Sequence, residues 1–363
     1  MAGRAGLVAA PDLTPVRPTL RAFATACALA AAPADRAAAQ ATYTNPLADS
    51  LEVADPFVLR DGDGLYYLYG TSAADGFRAW TSRDLVSWES IGHVYRAPDT
   101  SWARRNFWAP EVLAYRGRYY LSFSAKGPGE AGLRLCLAVA DHPAGPFRDL
   151  AVPWLDRGFS AIDAHLYVDA DGTPYAYYEM VGVVGEPWAG RGYFRGSILG
   201  EALAPDLLAP ARPDAPPVRC LWPSQPWELP PDGLAHSVEG MTVFRVDGVY
   251  YMTYSANHYK DPRYGIGYAT ARAPLGPWVK PPDNPLLARD TALLVSGPGH
   301  NGIAVSPDGR ERFLVYHSHA DAEAPSARRI LNLDRLVVAA PGRLTTTGPT
   351  RSPQPSPSGA PPE

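Results

Sequence analysis

A hairpin that recurs five times along the chain constrains the fold more than any other feature. Its first copy, VADPFVLRDGDGLYYLYGTS (residues 53–72), is typical of an apolar strand, a tight turn with glycine and a second strand rich in tyrosine. The four further copies span residues 108–124, 162–179, 238–255 and 299–318. Segments such as 137–147 and 268–278 indicate additional strands after the hairpins. About four strands per unit are the content of a propeller blade, so the repeat predicts an all-β fold, a five-bladed β-propeller over residues 42–340, in preference to a β-sandwich.

The composition agrees with an all-β protein and narrows its partners. The 33 glycines and 39 prolines favour turns over long helices. The net charge of -4, without basic runs, argues against nucleic-acid binding, and no long apolar run after the first segment suggests a membrane span. No protein partner is expected. Cys136 and Cys220 either pair as a disulfide or remain buried thiols, and the sequence leaves both open.

Three segments differ in composition from the repeats. Residues 1–41, with an arginine before a short apolar run and then alanine-rich positions, predict a signal peptide or a disordered leader. A signal peptide implies a secreted protein, with a cytoplasmic one as the alternative. Residues 341–363 are rich in proline and serine and are expected to form a disordered tail. The proline-rich stretch 200–235 is either an ordered insertion near the mouth of the site or a surface linker.

Charged residues occupy one register of the repeated hairpin. Counting back nine residues from the turn glycine of each copy reaches Asp55, Trp108, Asp163, Glu239 and His300, with Trp108 an approximate match because its turn is shorter. Alone, each acid could cap a turn or a strand end. First strands of propeller blades line the central channel, so these positions converge. Burying three carboxylates together costs several kcal/mol unless function compensates, which makes the shared position a candidate site.

Closely spaced acids can bind a hard cation such as calcium, or can divide into a proton donor and an ionised base. Cleavage of a glycosidic bond needs such a division, because one carboxylic acid protonates the leaving oxygen while a carboxylate activates water on the opposite face of the sugar. A third acid beside the donor would raise the donor's pKa and hold its orientation.

Five short motifs resemble a known family. In chain order they are ADPFV, FWAPEV, IDAHLY, EGM and GPGHN, and together with the propeller spacing they resemble glycoside hydrolase family 43 across residues 43–338. The resemblance implies a five-bladed propeller and inverting hydrolysis of arabinose- or xylose-containing polysaccharides.

The family's catalytic residues transfer by motif. The resemblance implies that Asp55 is the general base and Glu239 the general acid. It implies that Asp163 tunes and orients that acid. His300 matches the family's central-channel histidine, which lies near a bound calcium ion or water cluster.

The same resemblance suggests substrate contacts. Arg329 matches an arginine that reaches the substrate or the acid, with Arg328 as the alternative. Trp108 could form a platform against a sugar face, or could be a core residue. Glu111 lies off the shared register and is interpreted as structural.

We therefore expect an exo-acting α-L-arabinofuranosidase that takes arabinan- or arabinoxylan-type oligosaccharides. The alternatives are a β-xylosidase of the same fold and a catalytically silent carbohydrate-binding propeller. The chemistry requires no cofactor, and a structural calcium ion beside His300 in the central channel is the one ion considered. For an inverting mechanism, the carboxyl groups of Asp55 and Glu239 should lie roughly 6.5 to 9.5 Å apart.

Overall fold

The computed structural model describes residues 41–48, 51–129, 132–182, 194–232 and 235–361. The predicted leader lies outside the described residues except for residue 41, so the signal peptide stays a prediction. Within these ranges, no helix is long and apolar enough to cross a membrane.

Short antiparallel strands follow one another along the described chain, beginning with β1 (Thr42–Tyr43). Blade one consists of β2 (Ala54–Arg60), β3 (Tyr66–Thr71), β4 (Gly76–Ser82) and β5 (Glu89–Arg96). Blade two consists of β6 (Arg105–Tyr115), β7 (Arg118–Lys126), β8 (Arg134–Ala140) and β9 (Arg148–Trp154). Blade three consists of β10 (Ala161–Val168), β11 (Pro174–Val181), β12 (Phe194–Ala202) and β13 (Val218–Leu221).

The second half of the chain repeats this plan. A 3-10 turn (Pro226–Glu228) and the short strand β14 (Ala235–His236), which pairs with β12, lead into blade four. Blade four consists of β15 (Val238–Val246), β16 (Val249–Ala256) and β17 (Gly265–Ala271). Blade five consists of β18 (Gly299–Val305), β19 (Arg312–His319), β20 (Arg329–Ala340) and β21 (Arg343–Thr346). The last strand, β22 (Gln354–Pro355), lies outside the blades.

The blades close into a ring. The first strands of neighbouring blades, β2, β6, β10, β15 and β18, contact one another in sequence order, and β18 also contacts β2. The predicted all-β, five-bladed β-propeller is thereby confirmed. Blade four departs from the expected four strands, because β17 pairs further only through isolated bridges to Val279 and Leu287.

The hydrophobic core is divided among the contacts between blades. Each of the five buried clusters in the described chain joins side chains of two neighbouring blades. Tyrosine and phenylalanine from the second strands fill much of this space, including Tyr69, Phe123 and Tyr178. Cys136 and Cys220 belong to different clusters, and both are free buried thiols. Each blade therefore depends on its neighbours for burial of its apolar faces.

The expectation of a disordered tail after residue 340 is wrong. Strand β20 continues to Ala340 and pairs with β21, which completes blade five, and β22 pairs with β1. The tail is held by polar contacts: the Thr350 hydroxyl donates to Asp334 at 2.6 Å, and the Ser358 N–H donates to Glu311 at 2.7 Å. Because these long-range hydrogen bonds need few apolar side chains, composition gave no sign of them.

The stretch 200–235 is ordered over its described residues but lies mostly on the outer side of the propeller. It provides β13, the outermost strand of blade three, and Leu207 is buried between blades two and three. The Trp154 indole donates to the carbonyl of Leu207 at 2.9 Å. Of the residues described in this stretch, only Ala235, at its end, lines the central pocket.

Candidate active site

A β-bulge interrupts the first strand of every blade at the same place. The bulge residue has a positive φ in all five: Asp55 (52°), Ala109 (47°), Asp163 (58°), Gly240 (55°) and His300 (47°). Left-handed φ values are uncommon outside glycine and concentrate at functional sites. The bulge redirects the side chains that the propeller brings to the channel.

Side chains of the preceding blade hold four of these bulges in place. The N–H groups of Ala109, Asp163 and His300 donate to the hydroxyls of Thr71, Ser124 and Ser255 at 2.7 to 3.1 Å. The Asp55 N–H donates to Nδ1 of His317 at 3.1 Å. Each of these four acceptors lies on the second strand of its blade. There it pairs with the first-strand residue that precedes the bulge of that same blade.

The counting rule that selected the site residues holds in only three blades. Blades two and four close their hairpins with two-residue turns, at Tyr115↔Arg118 and Val246↔Val249. Their bulge residues are therefore Ala109 and Gly240. Glu239, which the counting rule equates with Asp55 and Asp163, lies one residue before the bulge of its blade. Glu239 corresponds instead to Trp108, the residue before the bulge in blade two. Side chains at both positions reach the same cavity.

All six candidate site residues line one cavity of about 500 Å³. They are Asp55, Trp108, Asp163, Glu239, His300 and Arg329. The volume is in the range of pockets that hold small ligands. The sequence reasoning missed several further wall residues, and the polar ones among them include Glu179, Ser237, Asn257 and Tyr259.

Asp55 is buried beside a cation. Arg329 Nη1 donates to Asp55 Oδ1 at 2.7 Å, and the Thr71 hydroxyl donates to Oδ2 at 2.6 Å. Burial alone would raise the pKa of Asp55, but the charges of Arg329 and His300 and the hydrogen bond from Thr71 outweigh it and hold the pKa below its usual range. Asp55 is therefore ionised at neutral pH.

Glu239 has the opposite tendency. Burial raises the pKa of Glu239 above its usual value, and the negative charge of Asp55 adds to this. The Tyr264 hydroxyl donates to Glu239 Oε1 at 2.6 Å and partly counters the shift. The neighbouring Gly240 also makes room for the histidine, because an added Cβ there would lie 3.0 Å from the His300 ring and would require the ring to move.

Asp163 lies between the acid and the histidine. Its Oδ2 accepts the N–H of Gly240 at 3.1 Å and lies 3.9 Å from His300 Nδ1. Burial, together with the charges of Glu239 and Asp55, raises the pKa of Asp163 to about 7. Asp163 thus holds the backbone next to the acid, and its tuning of Glu239 stays a prediction.

His300 joins the two sides of the cavity. Its Nδ1 lies 3.4 Å from Asp55 Oδ1. Burial would lower the pKa of His300, but the carboxylates of Asp55, Asp163 and Glu239 outweigh it and raise the pKa. His300 therefore lies between Asp55 and Asp163, whose negative charges favour its protonated form.

The surroundings of His300 do not fit a calcium site built from side chains. One ligand atom each from Asp163, Glu239 and His300 lie within 4.8 Å of one another. Calcium takes six to eight oxygen ligands, whereas this group offers an imidazole and two carboxylates that already accept hydrogen bonds from protein donors. No step below depends on an ion.

The remaining candidates from the sequence divide into residues that reach the cavity and residues that lie elsewhere. Arg329 reaches Asp55, whereas Arg328 pairs with Glu52 on the surface, and Trp108 is half-buried in the cavity wall. Glu111 bonds His165 Nδ1 at 2.6 Å. His165 Nε2 in turn accepts the N–H of Val243 at 3.1 Å, so Glu111 takes part in a link across blades two, three and four.

The fold and the site together define a β-propeller hydrolase whose pocket holds two carboxyl groups with pKa values shifted in opposite directions, the arrangement that glycosidic bond cleavage requires. The model of glycosyl hydrolases family 43 matches residues 43–344. The chain belongs to this family, which confirms the resemblance seen in the motifs, and it is a hydrolase of O-glycosyl bonds. The family's hydrolysis needs no cofactor.

Individual relatives agree with this assignment. The extracellular exo-α-(1→5)-L-arabinofuranosidase of Streptomyces chartreusis is 31% identical over 85% of this chain and 92% of that protein. The β-D-galactofuranosidase xynD of Aspergillus niger is 27% identical over 77% of this chain and 78% of that protein. The crystal structure of a thermostable family-43 glycoside hydrolase superposes with a TM-score of 0.80 at 42% identity, covering 87% of this chain and 99% of that one.

Proposed function

We propose that the protein is a secreted, inverting, exo-acting α-L-arabinofuranosidase. The observation that carries the proposal is the opposite protonation tendency of Asp55 and Glu239 within one cavity. An inverting glycosidase needs an ionised base and a protonated acid at the same pH.

Each pocket residue has a role in this mechanism. Glu239 transfers its proton to the glycosidic oxygen as the bond to the anomeric carbon breaks. Asp55, ionised beside Arg329, takes a proton from the water that attacks the anomeric carbon from the opposite face. Asp163 holds the backbone next to the acid by accepting the N–H of Gly240. His300 balances the charge between the two sides of the cavity. Trp108 offers an aromatic face to the sugar.

Relatives support the sugar and the location. The Streptomyces chartreusis protein is named for an arabinofuranosidase and the Aspergillus niger protein for a galactofuranosidase, so both names specify a furanoside. An α-L-arabinofuranosyl ring has the ring stereochemistry of a β-D-galactofuranosyl ring and lacks its terminal hydroxymethyl group. We propose the ends or side chains of arabinan and arabinoxylan oligosaccharides as substrates. Extracellular relatives also support secretion.

The test is sugar release by the full-length chain from matched 4-nitrophenyl glycosides: α-L-arabinofuranoside, β-D-xyloside and β-D-galactofuranoside. We expect the arabinofuranoside to give the highest kcat/KM, with activity lost in Asp55→Asn and lowered, but partly retained on this aryl glycoside, in Glu239→Gln. Faster xylose release would make the enzyme a β-xylosidase. A folded chain that binds oligosaccharides but cleaves none would identify a silent sugar-binding propeller and reject the proposal.

A further inference from the structure

Glu179 breaks the pattern by which the blades support one another's bulges. It pairs with Ile162, the residue before the bulge of blade three, and so occupies the position that Thr71, Ser124, Ser255 and His317 hold elsewhere. Those four residues accept the N–H of the next bulge. In blade four, the Gly240 N–H donates to Asp163 instead, which leaves the carboxyl group of Glu179 free for another role.

The structure provides a specific place for this carboxyl group. Glu179 is 1% exposed, and its Oε1 accepts a hydrogen bond from the Ser237 hydroxyl. Gly196, on the adjacent strand, makes the space, because an added Cβ there would collide with Glu179 Oε1 and with the Ser237 hydroxyl. In a close-packed interior, the missing side chain at this glycine therefore provides the space that the carboxyl group of Glu179 occupies.

The second oxygen of Glu179 lacks a conventional partner. Oε2 is buried and accepts no hydrogen bond, and no basic side chain in the described ranges forms an ion pair with Glu179. An unpaired buried carboxylate oxygen is costly, so its presence requires an explanation. The neighbouring group at hydrogen-bonding range is the carboxyl of Glu239.

Two carboxyl groups in contact form a hydrogen bond only when a proton lies between them. We propose that Glu179 is a positioning residue for the general acid: its protonated carboxyl donates a hydrogen bond to Glu239 and stabilises the carboxylate that Glu239 becomes after proton transfer. This inference rests on the proposed function. The proton that reaches the leaving oxygen comes from Glu239, the proton of the attacking water goes to Asp55, and the Glu179 proton stays on Glu179 throughout.

The surrounding charges favour the protonated form. Burial raises the pKa of Glu179 well above its usual value, and the charges of Glu239 on β15 and Asp163 on β10 add to the shift. Ser237 is a neutral donor, and Gly196 on β12 contributes no side chain. Since Tyr264 donates to Glu239 Oε1, the acid would be held by two O–H donors, one from Tyr264 and one from Glu179.

The experiment compares Glu179→Gln, which keeps a donor at this position, with Glu179→Leu, which removes it. Substrates are the 4-nitrophenyl glycoside, whose leaving group needs little protonation, and the corresponding disaccharide, whose leaving group needs full protonation. We expect Glu179→Gln to stay within about threefold of wild type, and Glu179→Leu to lose about ten- to hundredfold in kcat on the disaccharide, the worth of a hydrogen bond to a charged group, but much less on the aryl glycoside.

The pH profile separates the proposal from its rivals. Loss of the donor in Glu179→Leu should raise the pKa of Glu239 and move the basic limb of kcat/KM to higher pH, while Glu179→Gln leaves the limb in place. A basic limb that moves to lower pH in both variants would mean that Glu179 is ionised in the wild type, and would overturn the proposal. Equal losses on both substrates with an unmoved limb would indicate a purely structural role. Glu201→Gln removes another buried glutamate, one outside the cavity, and serves as the matched control.

A second measurement is independent of the substrate. In protein labelled with carbon-13 at the glutamate carboxyl carbons, the resonance that disappears in Glu179→Gln should keep the chemical shift of a protonated acid at pH values well above the usual glutamate pKa. Titration near the ordinary glutamate value would overturn the inference whatever sugar the enzyme cleaves. A protonated Glu179 in a chain that cleaves none of the three glycosides would reject the proposed function while supporting the hydrogen bond from Glu179 to Glu239.

Discussion

The two sides of the cavity carry carboxyl groups in contrasting environments. The Asp55 wall (Asp55, Thr71 and Arg329) places its carboxylate against a guanidinium and a hydroxyl. The Glu239 wall (Asp163, Glu179, Glu239 and Tyr264) brings three carboxyls together, and among the described side chains none of them pairs with a lysine or an arginine. Asp55 and Asp163 occupy the same bulge position of their blades and have similar φ angles of 52° and 58°. The fold therefore sets where an acid lies, and the neighbouring charges set whether it holds a proton.

The strongest way to break this comparison is to remove one acid from each wall. Asp55→Asn and Glu239→Gln should each lower kcat/KM by about a hundred- to ten-thousandfold, the usual contribution of a general base or acid. Glu239→Gln should retain much more activity on an aryl glycoside than on a disaccharide, whereas Asp55→Asn should lose both. Steady-state kinetics on the two substrates check this. Equal losses for Glu239→Gln on both would contradict its role as the acid.

Stability should depend on pH in opposite directions for the two bulge acids. Asp163 has a folded-state pKa of about 7, above its unfolded value, so its contribution is complete below about pH 4 and is lost as the pH rises to 7, at up to about 1.4 kcal/mol per pH unit. Asp55 has a lowered pKa, so its contribution is present above about pH 4 and is lost as the pH falls. Urea unfolding of wild type, Asp163→Asn and Asp55→Asn from pH 4 to 8 measures both.

The quantity to compare is the difference in the free energy of unfolding between wild type and each variant. Wild type should lose stability relative to Asp163→Asn between pH 4 and 7. The difference from Asp55→Asn should be flat over the same range. A flat difference for Asp163→Asn would mean that Asp163 is ionised in the folded protein, and the contrast between the walls would fail.

Removing the cation should make the Asp55 wall resemble the other one. In Arg329→Met, the pKa of Asp55 should rise, so the acid limb of kcat/KM moves to higher pH and activity at neutral pH falls by about ten- to hundredfold, as for a lost hydrogen bond to a charged group. The neighbouring Arg328→Met is the matched control, because Arg328 pairs with Glu52 at the exposed surface. A pH profile for Arg329→Met that matches the control would show that Arg329 does not lower the pKa of Asp55.

The smallest effect is expected for Tyr264→Phe. Loss of the donor to Glu239 Oε1 should raise the pKa of Glu239, which moves the basic limb to higher pH and lowers kcat by about three- to tenfold, as for a single hydrogen bond. Tyr251→Phe is the matched control, because the Tyr251 hydroxyl accepts the N–H of Gly342, and its loss should leave the limb in place. A basic limb unmoved in Tyr264→Phe would show that its hydroxyl does not influence the acid.

The sequence was sufficient for the blades and for most of the cavity, because both depend on local repetition. Alternating strands and glycine turns predicted the five hairpins, and a fixed offset from the turn reached Asp55, Asp163 and His300. The offset assigned Glu239 to the bulge position, whereas Glu239 lies one residue before the bulge, because the turns of blades two and four are shorter.

The rest depends on contacts between distant segments. Glu179 lay inside a recognised strand, YAYYEMV, where a single charged residue in an apolar run was the available signal. Tyr264 lies in the connection between β16 and β17, outside any repeated motif, and the path of this connection within blade four brings its hydroxyl to Glu239. The tail after residue 340 is fixed by hydrogen bonds to Asp334 and Glu311, which no local pattern records.

The central claim is that Asp55 acts as base and Glu239 as acid from opposite faces of one sugar ring. It is tested most directly by the stereochemistry of the first product. Proton NMR during the first minutes of hydrolysis of 4-nitrophenyl α-L-arabinofuranoside should show β-L-arabinofuranose accumulating before mutarotation, since direct attack by water inverts the anomeric carbon. Initial formation of the α-anomer would contradict the account, because retention requires a covalent intermediate and a nucleophile in place of the base.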